Sequence, residues 1–325
     1  MQILRRFFCL IIAFSIILSL SGCRKKVQSS SDSSLVTDGK IIIGVSFQDM
    51  SNEFIMMLRQ EMLEKAKENK DVQLIIEDAE AKANKQIVQM EKFIAQRVNV
   101  IIINTTDGDA LIPAIEDAIK EKIPVITISS DINKKVGQVF VGSPNISAGE
   151  MQAKYICERL KGKGNVAIIK GPVGHYSTNN RYEGYLNIIN HYPEIHVVFN
   201  NTCNWQREQS MSVMEKWLKA DVKIDAVLCQ NDAMALGAIE AIKGAGMNGK
   251  IAVSGIDAIG EGLEAIMRGD MDATCFQDAK GQADVALEIA VKAARGERIS
   301  NHTIPFELVT ADNVGEFASR VVTTK

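Results

Sequence analysis

The chain has 325 residues, of which 46% are hydrophobic and 6% aromatic, with 37 basic against 40 acidic side chains. This length is enough to bury two hydrophobic cores, which favours two domains. The slight acidic excess, without a basic stripe, argues against a protein that binds nucleic acid.

The first residues of the chain indicate export. A basic start precedes an apolar run over 7–20, and small residues follow before Cys23. The run is too short and wrongly flanked for a membrane-spanning helix. Leu20-Ser21-Gly22-Cys23 resembles the lipobox of bacterial lipoproteins, which implies a signal peptide over 1–22 and lipid on Cys23; an uncleaved anchor is the alternative. The Ser-rich stretch that follows predicts a flexible linker, so 23–37 would tether a folded body to a membrane surface.

The folded body begins with a short apolar run at 41–46. It lacks polar alternation, which is typical of a strand buried on both faces of a parallel sheet. A polar loop and a helix follow, and the same unit then recurs. Further strands are predicted at 72–76, 98–104 and 125–128, and helices at 51–69, 84–96 and 110–121.

The pattern starts again near residue 145. Helices are predicted at 145–160, 180–190, 206–218, 233–243, 260–268 and 281–295, and strands at 166–169, 197–199, 226–229, 251–254, 273–276 and 304–309. Such alternation requires parallel strands joined by right-handed crossovers. One sheet of this many strands would be unusual. We therefore predict an α/β fold of two Rossmann-like lobes, each a parallel sheet flanked by helices, with a ligand in the cleft between them.

Polar side chains recur just past the predicted strand ends, which meet at one edge of a parallel sheet. They are Gln48, Asp49, Asn52, Ser129, Ser130, Asp131, Arg181, Trp205, Asn231, Asp232, Asp257 and Gln277. Most are amides, carboxylates or a guanidinium, which can hydrogen-bond two neighbouring hydroxyls at once. Phe54 and Trp205 add flat apolar faces that suit the C–H faces of a sugar ring. The set predicts a site for a neutral polyhydroxylated ligand.

Several of these residues have an alternative, purely structural explanation. Asn52, Asn231 and Asp257 each precede a predicted helix and could simply be N-caps. Phe54 could belong to the hydrophobic core, and Arg181 could only form a salt bridge with a nearby acid. The recurrence of such residues at one topological position favours a ligand site instead.

Catalytic and metal-binding motifs do not occur. The sequence has no GxSxG, GxxxxGK[ST], CxxC or HExxH, which predicts no enzyme and no cofactor. The widely spaced Cys157, Cys203, Cys229 and Cys275 are predicted to be buried free thiols. Neither these cysteines nor the four scattered histidines suggest a metal site.

Six stretches carry a family resemblance. They read Ile43-Gly-Val-Ser-Phe-Gln-Asp-Met-Ser-Asn-Glu-Phe54, Asn104-Thr-Thr-Asp107, Ile123-Pro-Val-Ile-Thr127, Arg181-Tyr-Glu-Gly184, Gln230-Asn-Asp-Ala-Met-Ala-Leu-Gly237 and Gly255-Ile-Asp257. From about Lys40 onward the chain resembles the ribose/galactose-type (type I) periplasmic sugar-binding proteins of bacterial ABC transporters. The first stretch and residues 255–259 look most similar to the myo-inositol-binding branch.

The resemblance implies two lobes joined by a hinge of three crossovers. The N-terminal lobe would comprise 38–143 plus 278–307, and the C-terminal lobe 144–277 plus 308–325. The ligand-binding residues it implies are Gln48, Asn52, Phe54, Arg181, Trp205, Asn231, Asp257 and Gln277, to which the strand-end pattern adds Ser130.

Three departures from the family pattern leave the identity of the sugar open. The family usually carries Asp-Arg after its fourth strand, where this chain has Ser129 and Ser130, with Asp131 one residue later. Ile55 replaces a second aromatic residue beside Phe54. Pro144 stands where an Asp is usual at the hinge.

The resemblance also implies function. We expect a monomeric binding protein outside the cytoplasm, anchored to the membrane only through lipid, that captures a monosaccharide or cyclic polyol by lobe closure and delivers it to an ABC permease. The alternative is a ligand sensor that presents a bound sugar or furanose to a chemoreceptor or sensor kinase. A repressor core shares the architecture but needs an N-terminal helix-turn-helix, where this chain has its predicted leader.

Overall fold

The computed structural model describes residues 39–321, which contain two separate six-stranded sheets. The first sheet is parallel throughout and has the order β11-β5-β4-β3-β1-β2. Its strands are β1 (Ile41–Phe47), β2 (Val72–Asp78), β3 (Val100–Ile103), β4 (Val125–Ile128), β5 (Val139–Gly142) and β11 (His302–Thr303). The helices α1 (Glu53–Lys67), α2 (Ala83–Ala95), α3 (Ile112–Lys120) and α9 (Ala279–Ala294) pack against it.

The second sheet has the order β12-β10-β9-β8-β6-β7. Its strands are β6 (Lys163–Lys170), β7 (Glu194–Thr202), β8 (Ala226–Cys229), β9 (Ala252–Ser254), β10 (Ala273–Phe276) and β12 (Glu307–Thr310). The helices of this lobe are α4 (Asn145–Arg159), α5 (Tyr176–Ile189), α6 (Arg207–Leu218), α7 (Asp232–Gly244), α8 (Gly260–Met267) and α10 (Val314–Phe317). The predicted fold of two helix-flanked parallel sheets is confirmed, with one addition: β12 runs antiparallel to β10 at the edge.

Continuous apolar runs form the central strands because helices cover both faces of each sheet. Every residue of Val100–Ile103 and of Ala226–Cys229 is buried. Gly44 of β1 allows one helix to pack unusually close, since a Cβ there would lie 2.7 Å from the Phe93 ring of α2. The ends of these rigid strands are therefore well-fixed platforms for side chains.

Two glycines bring α4 and α5 into backbone contact. A Cβ on Gly149 would lie 2.1 Å from the carbonyl oxygen of Arg181, and one on Gly184 would lie 2.2 Å from that of Ile146. Any larger residue at either position would push the helices apart. This close packing fixes the first turns of α5, which carry Arg181.

The chain passes between the sheets three times within the described residues: after β5, after β10 and between β11 and β12. The strand predicted at 304–309 is confirmed only in its second half, which belongs to β12, whereas 304–306 form no strand. The short β11 just before this region was not predicted, and it pairs with the other sheet. The prediction also missed β5 and α10, both of which are only four residues long.

The predicted thiols are confirmed, because all four cysteines are free and buried. Among residues 39–321, no helix has both the length and the apolar character needed to cross a bilayer. The predicted signal peptide, the lipid site at Cys23 and the linker lie outside the described residues.

Candidate functional site

The carboxyl ends of the two sheets face one cavity. It is lined by Gln48, Asn52, Phe54, Ile55, Asn104, Ser129, Ser130, His175, Ser177, Arg181, Trp205, Asn231, Asp257 and Gln277. All nine residues predicted to contact a ligand are in this set.

Arg181 is the buried cation of the cavity, with 5% of its surface exposed. Its Nε donates to Asn145 Oδ1 at 2.9 Å, Nη2 donates to Gln277 Oε1 at 3.0 Å, and Nη1 donates to the carbonyl oxygen of Gln230. The salt bridge considered as an alternative does not form, since no carboxylate of the described residues pairs with it. Burial lowers the pKa of Arg181, and nearby Asp257 opposes this shift.

A chain of hydrogen bonds extends from Arg181 to the other lobe. Because Gln277 Oε1 accepts from Arg181, its Nε2 is the atom that donates to Ser129 Oγ, at 2.8 Å. The Ser129 hydroxyl therefore keeps its own proton available for an acceptor in the cavity. Ser129 adopts a strained φ of +63°, which turns it towards the second lobe.

Asp257 is the buried anion of the cavity. No described residue donates a hydrogen bond to its carboxylate. Burial raises the pKa of Asp257 to about 7, although the Arg181 charge opposes the shift. Its φ of +123° is rare for a residue with a side chain. An unpaired buried carboxylate on a strained backbone is costly and points to a functional role.

The N-cap explanation applies to Asn52 and Asn231 but not to Asp257. Asn52 Oδ1 accepts from Ile55 N at 3.2 Å, and Asn231 Oδ1 accepts from Met234 N at 3.0 Å. Both side chains nevertheless line the cavity, and capping uses only their oxygens. The amide NH₂ of Asn52 has no partner among the described residues, so it remains a donor for a ligand.

The two aromatic residues differ in their surroundings. Phe54 lies in the first turn of α1 and is 4% exposed, so it belongs to the core as well as to the cavity wall. Trp205 has a φ of +65°, and its ring centroid lies 5.6 Å from the Arg181 guanidinium carbon. Gly171 makes room for the indole, since a Cβ there would approach Trp205 Cζ2 to 2.2 Å.

The two serines that follow β4 line the cavity, whereas the aspartate after them does not. Ser129 and Ser130 line the cavity, and Ser130 Oγ is 2.9 Å from Thr105 Oγ1. The carboxylate of Asp131 instead accepts from Thr127 Oγ1 at 2.7 Å and from Gln138 Nε2 at 3.2 Å. Asp131 therefore does not supply the missing carboxylate contact at the cavity.

Two other acids at strand ends also lie outside the cavity lining. Asp49 accepts from the backbone N of Ser51 at 2.9 Å, which closes the local turn. Asp232 accepts from Thr274 Oγ1 at 2.6 Å and from Ile259 N at 3.0 Å. Burial, followed by the charge of Asp257, holds the pKa of Asp232 well above its usual range.

The sequence prediction missed Asn104, His175 and Ser177. Asn104 directly follows β3, where the recurrence of polar strand-end residues could have indicated it. His175 and Ser177 were not predicted as site residues because α5 begins at Tyr176, four residues before its predicted start. The carbonyl oxygen of Gln48 accepts from Ala81 N at 2.7 Å, which secures the loop that faces His175.

Residues 43–298 match the family described as periplasmic binding protein domain. A putative rhizopine-binding protein of Rhizobium meliloti is 35% identical over 86% of this chain and 93% of its own length. An ABC transporter solute-binding protein of Bacillus halodurans, solved with bound myo-inositol, is 36% identical with a TM-score of 0.85, covering 87% of this chain and 98% of that one. The Caulobacter myo-inositol-binding protein, also solved with myo-inositol, is 31% identical with a TM-score of 0.83, covering 86% and 96%.

These similarities confirm the resemblance, the fold and the general function predicted from the sequence. The relatives include binding proteins for sugars and polyols that work with ABC transporters, and the family consists of binding proteins rather than enzymes. The match covers every residue that lines the cavity and all strands of the two sheets except β11 and β12. The chain therefore belongs to the periplasmic binding protein family, as a solute-binding protein with the type I fold.

Proposed function

We propose that this chain captures one neutral cyclic polyol or monosaccharide in the cavity between its sheets and delivers it to an ABC permease. One observation carries the proposal: the cavity contains one guanidinium, one carboxylate and a ring of neutral amides and hydroxyls. Arg181 and Asp257 balance in charge, so an ionic ligand would leave a buried charge uncompensated. A polyol provides donors for Asp257 and acceptors for Arg181 and Asn52 without adding charge.

Asp257 is the main determinant of this preference. Its carboxylate has two oxygens free of protein hydrogen bonds, and adjacent ring hydroxyls can donate to both. Hydrogen bonds to a charged group each contribute about 1.5–3 kcal/mol. Phe54 and Trp205 supply apolar surfaces for the C–H faces of the ring. Together these contacts can support a micromolar site, which requires about −8 kcal/mol.

Lobe closure couples binding to transport in this proposal. The first sheet contributes Gln48, Asn52 and Ser130, while the second contributes Arg181 and Asp257. A ligand obtains all these hydrogen bonds only when the lobes are together, so it shifts the population towards the closed form. The closed form would then dock on the permease as a monomer.

The remaining proposals concern the location and the boundaries of the chain. We propose that residues 1–22 are removed during export and that lipid on Cys23 holds the protein at the outer face of a membrane, with 23–37 as the tether. We assign 38–143 plus 278–307 to the N-terminal lobe and 144–277 plus 308–325 to the C-terminal lobe. The membership of the strands in the two sheets supports this division.

A thermal-shift screen tests the ligand class. The panel contains pentoses, hexoses, inositols and furanose sugars, with sugar acids and amino sugars as charged comparisons. A neutral member should raise the unfolding midpoint strongly, because it binds only the folded state. The Asp257→Asn variant should lose that shift, whereas Asp221→Asn, at an exposed site, should keep it. A shift produced only by charged members, or retained in Asp257→Asn, would refute the proposal.

A further inference from the structure

His175 links the two lobes at the cavity. It lies in the loop between β6 and α5, and its Nε2 is 2.5 Å from Oε1 of Gln48, at the end of β1. One residue earlier, the carbonyl oxygen of Gly174 accepts from Gly108 N of the first lobe at 3.2 Å. His175 is 2% exposed, whereas the other three histidines of the chain are exposed. Its ring is therefore enclosed where the two lobes meet.

The hydrogen bonds fix the tautomer of this ring. Nδ1 accepts from the backbone N of Ser177 at 3.1 Å, which caps α5. Nδ1 therefore carries no proton, and the proton of the neutral ring is on Nε2, which donates to Gln48 Oε1. Because Oε1 is occupied in this way, the NH₂ of Gln48 is the end left for a ligand. A protonated ring would direct a second N–H at Ser177 N and lose the cap.

The surroundings of the ring also favour its neutral form. Burial, followed by the charge of Arg181, lowers the pKa of His175 to about 3. Asp107, from the loop after β3, opposes this shift, as does the backbone of Thr105. The Trp205 indole contacts the imidazole edge to face, with centroids 5.3 Å apart. The negative charge of Asp107 stabilises a protonated His175, but burial and the positive charge of Arg181 destabilise it more. The closed cleft therefore disfavours a cationic ring.

We propose that His175 is a positioning residue that latches the closed lobes through Gln48, and that protonation at Nδ1, which would remove the cap of α5 and bury a cation beside Arg181, favours opening of the lobes. This inference rests on the proposed function, since it concerns closure on a polyol. Opening the lobes would expose the ring to water and restore an ordinary titration near pH 6.5. The closed form then binds fewer protons than the open form, so acid favours opening.

The pH dependence of affinity follows from this linkage. The contribution of His175 to affinity should be constant above about pH 7 and fall as the pH drops below about 6.5, by up to roughly tenfold per unit until the closed-state ring titrates. At pH 5 the loss due to His175 should be about 30-fold relative to pH 8. Asp257 lines the same cavity, and the charge of Glu53 acts on it; both carboxyls have raised pKa values, so they contribute their own pH dependence.

The decisive variant is His175→Asn. Asn is a good N-cap, so it retains the acceptor for Ser177 N but removes the Nε2–H donor and the titrating ring. Isothermal titration with myo-inositol at pH 8 and pH 5 would be carried out on wild type, His175→Asn and the exposed control His191→Asn. His175→Asn should bind roughly tenfold more weakly at pH 8. Its additional loss at pH 5 should be about 30-fold smaller than that of wild type and of His191→Asn.

Gln48→Leu provides a second test that leaves the cap of α5 intact. It should weaken binding at pH 8 but retain the loss in acid, because His175 would still be buried on closure. Wild-type affinity and wild-type pH dependence in His175→Asn would overturn the latch. If circular dichroism shows that His175→Asn is unfolded, wild-type affinity in Gln48→Leu would overturn it instead.

Failure of the proposed function would look different. It would appear as an absence of binding by the wild type itself, first to myo-inositol and then to every member of the thermal-shift panel. If another panel member binds, the same titrations are made with that sugar. If none binds, the latch is refuted together with the proposed function.

Discussion

Replacing Asp257 by Asn should stabilise the empty protein while it abolishes binding. The carboxylate is buried, 5% exposed, and has no hydrogen-bond partner among the described residues. Asn has the same shape and removes the buried charge. A residue that binds a ligand at the expense of the fold should behave in this way, whereas an N-cap or salt-bridge residue should not.

The size of the expected stabilisation follows from the pKa of Asp257. Burial raises the pKa of Asp257 from its ordinary value of 3.8 to about 7, a difference of about three units. Each unit corresponds to 1.36 kcal/mol, so ionised Asp257 costs the folded protein about 4 kcal/mol above pH 7. Because the folded state binds the proton more tightly, this group makes stability fall as pH rises from about 4 to 7. The change to Asn should therefore contribute up to about 4 kcal/mol at pH 8 and little below pH 4.

Urea denaturation of the ligand-free protein at pH 4, 5.5 and 8 measures this effect. Wild type should lose stability relative to Asp257→Asn across the series, and Asp221→Asn should follow wild type. Calorimetry with the panel sugar should show no binding to Asp257→Asn. A variant that is destabilised at pH 8, or whose difference from wild type does not change with pH, would refute the reasoning.

Three further changes test how the cavity is built. Gly171→Ala should weaken binding at least tenfold because its Cβ would displace Trp205, and Gly244→Ala, where a Cβ meets nothing within 4 Å, is the control in calorimetry. Trp205→Ala should lose about 1 kcal/mol or more of binding energy, and unchanged affinity would remove the indole from the site. Arg181→Ala should abolish binding and lower stability by roughly 1–3 kcal/mol in urea denaturation, since Gln277 and a buried carbonyl would lose their donor. A fully stable Arg181→Ala would contradict the hydrogen-bond chain.

The sequence allowed both the fold and most of the cavity to be predicted, for one physical reason. Parallel strands joined by helices place all their carboxyl ends at the same edge of a sheet. Gln48, Ser130 and Asp257 therefore converge in the structure although up to 209 residues separate them in the chain. Each helix must cover one face of a sheet, so its apolar residues recur every three or four positions. This spacing located the helices to within a few residues.

The features that were missed depend on contacts between distant segments. His175 acts through Gln48 of the other lobe, and no local pattern reveals a bond across a cleft. The region 304–309 was predicted as one strand, but only its second half belongs to β12, and the preceding β11 pairs with the other sheet.

The choice between N-cap and ligand contact could not be made from the sequence either. In Asn52 and Asn231 the amide oxygen caps a helix. The nitrogen of Asn52 has no partner among the described residues, whereas that of Asn231 donates to the carbonyl oxygen of Trp205 at 3.4 Å, and both side chains line the cavity. The two explanations proved compatible for these residues. For Asp257, tertiary structure decided the question, since α8 begins three residues later at Gly260 and the carboxylate caps nothing.

A crystal structure with the panel sugar that binds most tightly tests the central proposal most directly. We predict one uncharged polyol between the two sheets, with neighbouring ring hydroxyls within about 3.2 Å of both Asp257 carboxylate oxygens and with Arg181 donating to another ring oxygen. The ring should lie against Phe54 or Trp205. A sugar bound outside this cavity, or bound inside it without touching Asp257, would contradict the account.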